Sequence, residues 1–141
     1  MQKVQFYSLD RSPALKERTR LKLFIEKIFI SEKKKLGNLS YIFCSDEHLL
    51  SINRDFLKHD FYTDVITFDL SSPKNEIEGE VYLSIDRIKD NAKQLDFSFK
   101  AELHRVLFHG ALHLCGYKDK SKRDILLMRE KEDNYLKSYF S

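Results

Sequence analysis

Apolar and polar positions repeat with two different periods along this chain. Aromatic and β-branched residues crowd the stretches KVQFYSL, from Lys3, and LSYIFCS, from Leu39, as they do in strands. Between them Leu21, Phe24, Ile25, Ile28 and Phe29 recur at three- and four-residue spacing, which predicts a helix with one buried face. Ser12-Pro13 offers a cap followed by a first-turn proline, so this helix is expected from Ser12 to about Glu32. Gly37-Asn38 is expected to break the chain before the second strand. Ser45-Asp46-Glu47 opens a second helix that turns Leu49, Ile52, Asn53 and Phe56 inward and ends near Leu57. TDVITFDL, from Thr63, and GEVYLSI, from Gly79, read as two further strands joined by the hairpin connection SSPKNEIE.

The remainder is helical. Asp86 is expected to cap a helix with Ile88, Ala92 and Leu95 on one face. Ser98 caps the next, from Phe99 to about Cys115, with Leu103, Val106, Leu107, Gly110 and Leu114 toward the core. Gly116 stops it. Ser121 and Asp124 form a capping box ahead of a last helix carrying Ile125, Met128, Tyr135, Leu136 and Tyr139. The order β-α-β-α-β-β-α-α-α predicts an α+β fold with a small mixed four-stranded sheet and about five helices. The first crossovers favour parallel pairing, and the third and fourth strands are close enough to pair antiparallel.

Composition narrows the class. A chain of 141 residues holds one core, so residues 1–141 are expected to form a single domain. No apolar run approaches the roughly 18 to 20 residues of a membrane span, and MQKVQFYSLDRSP has no signal-peptide pattern, so a cytosolic protein is expected. Cys44 and Cys115 are too few for a disulfide scaffold and are expected to be packing residues. The net charge of +3 permits a polyanionic partner without requiring one. Lys16, Arg20 and Lys27 would fall along one flank of the first helix, ahead of Lys33-Lys34-Lys35. A solvated basic helix face accounts for this pattern, and a phosphate-backbone footprint is the second reading.

The stretch FHGALHLCGYKDK, from Phe108, carries the chemistry. His109 and His113 are four apart on one helix, so both imidazoles project from the same side, one turn apart. Gly116 can adopt the left-handed conformation that reverses the chain and brings Asp119 back beside them. Three nitrogen and oxygen ligands leave a fourth tetrahedral position for water, the arrangement of hydrolytic rather than structural zinc. One Zn²⁺ held by His109, His113 and Asp119 is therefore expected.

HGALHLCGYKD resembles the metal-site motif H-G-x-L-H-L-x-G-Y-D-H of the YbeY family, bacterial metal-dependent endoribonucleases of ribosomal RNA maturation. INRDFLKHDFYTDVITF is similar to that family's L-N-x-x-Y-R-x-x-D-x-P-T-D-V-L-S-F segment, and GEVYLS to its G-D-I-x-I-S strand. Glu102 and Leu103, ahead of the histidines, and Met128 and Glu132, after them, also fall where the family places such residues. The resemblance implies a zinc-dependent single-strand endoribonuclease acting in small-subunit rRNA 3′-end maturation and ribosome quality control. Its partners would be ribosomal RNA and the ribosome or a ribosomal protein, with neither a membrane nor a nucleotide cofactor. His109 and His113 match the first two family ligands. The third, usually histidine, falls on Asp119, whose anionic oxygen should leave bound water less acidic. The family arginine that serves the phosphate chemistry falls on Leu57, which leaves Lys58 or Arg54 to take its place, and the family proline is Tyr62. RNA contact is expected along Lys16, Arg20, Lys27 and Lys58.

Other readings are weaker. A metzincin-like peptidase would need glutamate directly after the first histidine, where this chain has Gly110. A non-catalytic ribosome-associated RNA-binding or assembly factor with a structural metal is the alternative that Leu57 keeps open. His59, Asp60 and Asp64 read as turn residues. Glu102 reads as a surface carboxylate, and His48 and His104 have no evident partner. Four glycines scattered singly make no phosphate-binding loop.

Overall fold

The computed structural model describes residues 2–72 and 76–141. Its elements are β1 (Val4–Ser8), α1 (Arg18–Ser31), β2 (Leu36–Cys44), α2 (Asp46–Leu57), β3 (Val65–Asp69), β4 (Ile77–Ser84), α3 (Ile85–Leu95), α4 (Phe99–Leu114) and α5 (Lys122–Tyr139). They form an α+β fold around one mixed sheet of order β1-β2-β4-β3. β1 and β4 both run parallel to β2, while β3 is antiparallel to β4. Part of the connection between β3 and β4, residues 73–75, lies outside the described residues.

Strand alternation sorts the two faces of the sheet. Leu39, Tyr41 and Phe43 of β2 and Val81 and Leu83 of β4 join the large core with Leu21, Ile25, Phe29, Leu107 and Phe108 of the helices. Cys44 and Ile66 point the other way and meet Leu49 of α2. Two contacts bring α4 tight against the sheet. The Tyr41 hydroxyl donates to the Leu107 carbonyl at 2.8 Å. A Cβ at Gly110 would stand 2.8 Å from Val81 Cγ1, so only glycine admits this approach. The helix carrying both histidines is thereby fixed against β4.

Several local expectations are corrected. The first helix begins at Arg18, not at Ser12, so Lys16 lies outside it; Glu17 precedes it in a left-handed conformation without a side-chain cap. Pro13 is buried and Leu15 packs on the core, so tertiary contact outweighs the local start signal. Gly37 and Asn38 lie inside β2, where a register irregularity absorbs them. Pairing with β4 at Leu36 and again from Asn38 carries the strand through the defect. Ser84 rather than Asp86 caps α3, accepting from Arg87 N at 3.0 Å. The Asp86 carboxylate instead accepts from Asp46 N at 2.9 Å and pairs with Arg11. Phe56, Leu95 and Ile125 are exposed rather than inward, Phe56 at 71%. The caps at Ser45 and Ser98 and the Ser121–Asp124 capping box form as expected.

Candidate metal centre and its cleft

α4 runs from its Ser98 cap to Leu114 and carries His109 and His113 on adjacent turns of one side. Their rings meet nearly edge-on, with centroids 4.5 Å apart. Gly116, at φ 108°, ends the helix. The chain then folds back, and Tyr117 N donates to the Leu112 carbonyl at 3.1 Å. This return does two things. It places the Tyr117 carbonyl to accept from His113 Nδ1 at 2.9 Å, and it brings Asp119 Oδ2 to 3.3 Å from His113 Nε2 and 3.6 Å from His109 Nε2.

A third element orients the other histidine. Glu132 of α5 is almost wholly buried and accepts from His109 Nδ1 at 2.6 Å. Both Nδ1 atoms thus carry hydrogens directed at oxygen, and both Nε2 lone pairs turn toward Asp119. The three donor atoms lie within 4.8 Å of one another. A tetrahedral ion with bonds of about 2.0–2.1 Å spaces its ligands roughly 3.3 Å apart, so the two distances to Asp119 already suit one. A histidine that gives its second nitrogen to a buried carboxylate is the usual support of a metal ligand.

Glu132 is also part of a buried charge cluster. Its Oε1 accepts from Arg105 Nη1 at 2.9 Å, and Glu102 grips the same guanidinium through Nε at 2.9 Å and through Nη2. Burial pushes the Glu132 carboxyl up, but the His109 hydrogen bond and the Arg105 charge outweigh it and hold it below the usual range. Burial pulls the Arg105 guanidinium down, and its two carboxylate partners more than reverse this. Glu102 is fully buried, which corrects the surface carboxylate expected there.

The return loop has its own anchor. Glu32, at the end of α1, accepts from the Tyr117 hydroxyl at 2.6 Å and from the Tyr135 hydroxyl, and pairs with Lys131 at 3.4 Å. Burial raises the Glu32 carboxyl, yet the two tyrosines and Lys131 lower it further, for a net depression. A carboxyl depressed in the folded state contributes stability above its unfolded value, near 4.3, and that contribution disappears as pH falls through the folded value. Glu32→Gln is therefore expected to cost about 2 kcal/mol at pH 7. Its deficit against the unaltered chain should close below pH 4, as thermal melts across pH will show. A deficit independent of pH would mean that the carboxylate charge contributes nothing.

An open cleft of about 670 Å³ leads to the donors, walled by β3, the end of α2 and α4. Asp64 lines it, its carboxyl raised by burial although Arg105 and His109 act in the opposite direction. At the mouth His59 stacks on Phe61, ring centroids 5.1 Å apart, and Phe61 is exposed. Among the described residues no helix is long and apolar enough to cross a membrane.

The family model described as Endoribonuclease YbeY matches residues 10–140 of this chain. The chain belongs to the YbeY family. A relative named Endoribonuclease YbeY from Cytophaga hutchinsonii is 52% identical over 128 residues, covering 91% of this chain and 90% of that protein. One of the same name from Porphyromonas gingivalis is 43% identical, covering 96% and 89%. A protein of Thermotoga maritima solved in solution superposes with a TM-score of 0.62 at 28% identity, over 97% of this chain and 89% of that one.

Against the YbeY expectations, the structure brings His109, His113 and Asp119 together and leaves other residues apart. Leu57 does line the cleft, but Lys58 does not. Lys58 sits in a left-handed turn at the end of α2 with its ammonium on the Asp55 carbonyl, and Arg54 is paired with Asp60. Lys16, Arg20 and Lys27 are exposed and do not line the cleft; Arg20 lies over the Tyr139 ring. Cys115 is buried and its thiol is pushed up to about 12 by burial, as suits a packing residue. His104, which had no evident partner, is buried against Tyr139 and bonded to the Lys100 carbonyl. Sequence reasoning missed Arg105 altogether and gave Glu132 no role. The only local signal was the three-residue spacing of Glu102 and Arg105, since Glu132 lies on another helix.

Proposed function

We propose that this chain is a zinc-dependent endoribonuclease that cuts single-stranded RNA. It would act in the cytoplasm on ribosomal RNA, at the 3′ end of the small-subunit species, and in ribosome quality control with the ribosome or one of its proteins as partner. The observation that carries this reading is the donor set: two histidines oriented through Nδ1, with both Nε2 atoms facing Asp119 at the end of an open cleft. Zinc would be held by His109, His113 and Asp119, and when bound it supplies Lewis acidity and a water of lowered pKa.

The chain's own residues do the rest. Glu132 and the Tyr117 carbonyl hold the two imidazoles against rotation. Asp64, whose carboxyl keeps a proton more readily than an ordinary aspartate, stands in the cleft where a proton can be taken or returned. The exposed Phe61 with its stacked His59 offers a face on which an unpaired base can lie, and a duplex has no such base to offer.

Zinc-loaded protein given matched single-stranded and duplex RNA, and then precursor ribosomal RNA with the ribosome present, tests the reading. Selective cutting of the single strand is expected; equal cutting of the duplex would contradict it. Substituting Lys16, Arg20 and Lys27 together is expected to flatten the salt dependence of RNA binding. An unchanged slope would remove these three from the binding surface.

A further inference from the structure

We propose that Arg105 binds the scissile phosphate of the RNA, an inference that rests on the endoribonuclease reading above. Among the described residues lining the cleft, Arg105 alone is a lysine or arginine. It stands one turn before His109 on the same side of α4, so its guanidinium and the metal donors face one space. Its side chain is 13% exposed, enough to reach a ligand and too little to move freely in water.

The way it is held points to a ligand. A guanidinium has five N–H groups. Glu102 takes one on Nε and one on Nη2, and Glu132 takes one on Nη1. One N–H on each terminal nitrogen remains, and among the described residues neither has a protein acceptor. The free N–H groups sit on the two terminal nitrogens, and a phosphate carries oxygens able to accept from both. A buried charge cluster of this kind is rarely the most stable filling, because apolar side chains of similar volume avoid the desolvation. Its retention beside a cleft has a reason if the cation is needed there.

Glu132 adds a geometric link. One of its oxygens holds Arg105 and the other holds His109. The carboxylate therefore fixes the cation relative to the metal ligand, and a phosphate lying between them would meet both in one geometry. Lys58 and Arg54 cannot serve in this way, since one is turned onto a backbone carbonyl and the other onto Asp60.

The test uses an RNA 2′-O-methylated throughout, checked on a gel to be intact after binding, and the same strand with one neutral methylphosphonate at the bond that the unaltered protein cuts. Zinc-loaded protein is expected to bind the phosphate strand about 10-fold more tightly than the methylphosphonate strand. Arg105→Lys keeps a positive charge between Glu102 and Glu132, and it should reduce that ratio to about 2-fold or less while zinc stoichiometry is unchanged. A purely structural Arg105 would leave the ratio where it was. Nitrogen-15 resonances of the Arg105 guanidinium in unaltered protein give a reading that needs no variant. They should shift with the phosphate strand and stay in place with the methylphosphonate strand. Unchanged discrimination in Arg105→Lys, or silent resonances with the phosphate strand bound, overturns the proposal even if RNA is cut. Protein that neither binds nor cuts RNA overturns the endoribonuclease reading, and this inference falls with it.

Discussion

Chains carrying His113→Ala are expected to lose stoichiometric zinc, with affinity reduced on the order of 10³-fold. That figure is roughly one ligand's share, in a set of three, of an affinity near the lower end of the about 10–16 kcal/mol with which structural zinc-finger sites hold zinc. The fold should survive. His113 lies at the cleft, partly exposed, and its one protein hydrogen bond besides Asp119 is to the Tyr117 carbonyl, in a loop that Glu32 anchors independently. Competition with a coloured chelator measures the loss. Cys115→Ala is the control. Its thiol is adjacent in sequence, but it is buried and absent from the cluster of donors, so zinc affinity should stay within about 2-fold of the unaltered chain. Comparable loss in both variants would mean that the ion sits elsewhere.

Glu132→Gln is the second large effect, and it separates orientation from ligation. The carboxylate touches no metal position, yet it holds His109 Nδ1 and Arg105 Nη1 at once. Removing such a partner costs metal affinity about 10- to 100-fold. Stability should fall by about 3 kcal/mol, at the lower end for breaking a buried pair, because Glu102 still accompanies Arg105. The sign of the pH effect follows from the depressed Glu132 carboxyl. Its contribution is present above the unfolded value near 4.3 and is lost as pH falls through the folded value, so the variant and the unaltered chain should converge in acid. Denaturant titrations at pH 7 and at several pH values stepped downward from pH 4 would show this. A variant as stable as the unaltered chain at pH 7, with unaltered zinc affinity, would mean that Glu132 only fills space.

What the sequence made legible is what is local. The helical spacing of His109 and His113, the Gly116 stop, and the caps at Ser45, Ser98 and Ser121 are decided within a few residues, and all appear in the structure. The strand-forming composition from Leu39 also falls within β2, although it did not show that Leu39, Tyr41 and Phe43 turn to the large core. The misreadings arise where distant chain decides. Ser12-Pro13 has the form of a helix start, but docking of Pro13 and Leu15 keeps that stretch out of the helix. Asp86 looks like a cap, and the amide of Asp46, forty residues earlier, claims its carboxylate.

The same limit applies to the site. His109, His113 and Asp119 span eleven residues, and one turn brings them together. Glu132 arrives from α5, and only packing of α5 on α4 makes it a partner of His109 and Arg105. Arg105 reads along the helix as one more surface cation. Its burial follows from the two carboxylates around it, one of them on another helix.

Cleavage of a single-stranded RNA by identically purified preparations tests the central claim most directly. Unaltered zinc-loaded protein is compared with the same protein stripped of zinc and with the paired His113→Ala, Asp119→Ala variant. The unaltered protein is predicted to cut, to stop when zinc is removed and to resume when zinc is restored, while the paired variant stays at background in every condition. Equal rates in all preparations, with the ribosome present, would contradict the enzyme reading and leave a binding factor in its place.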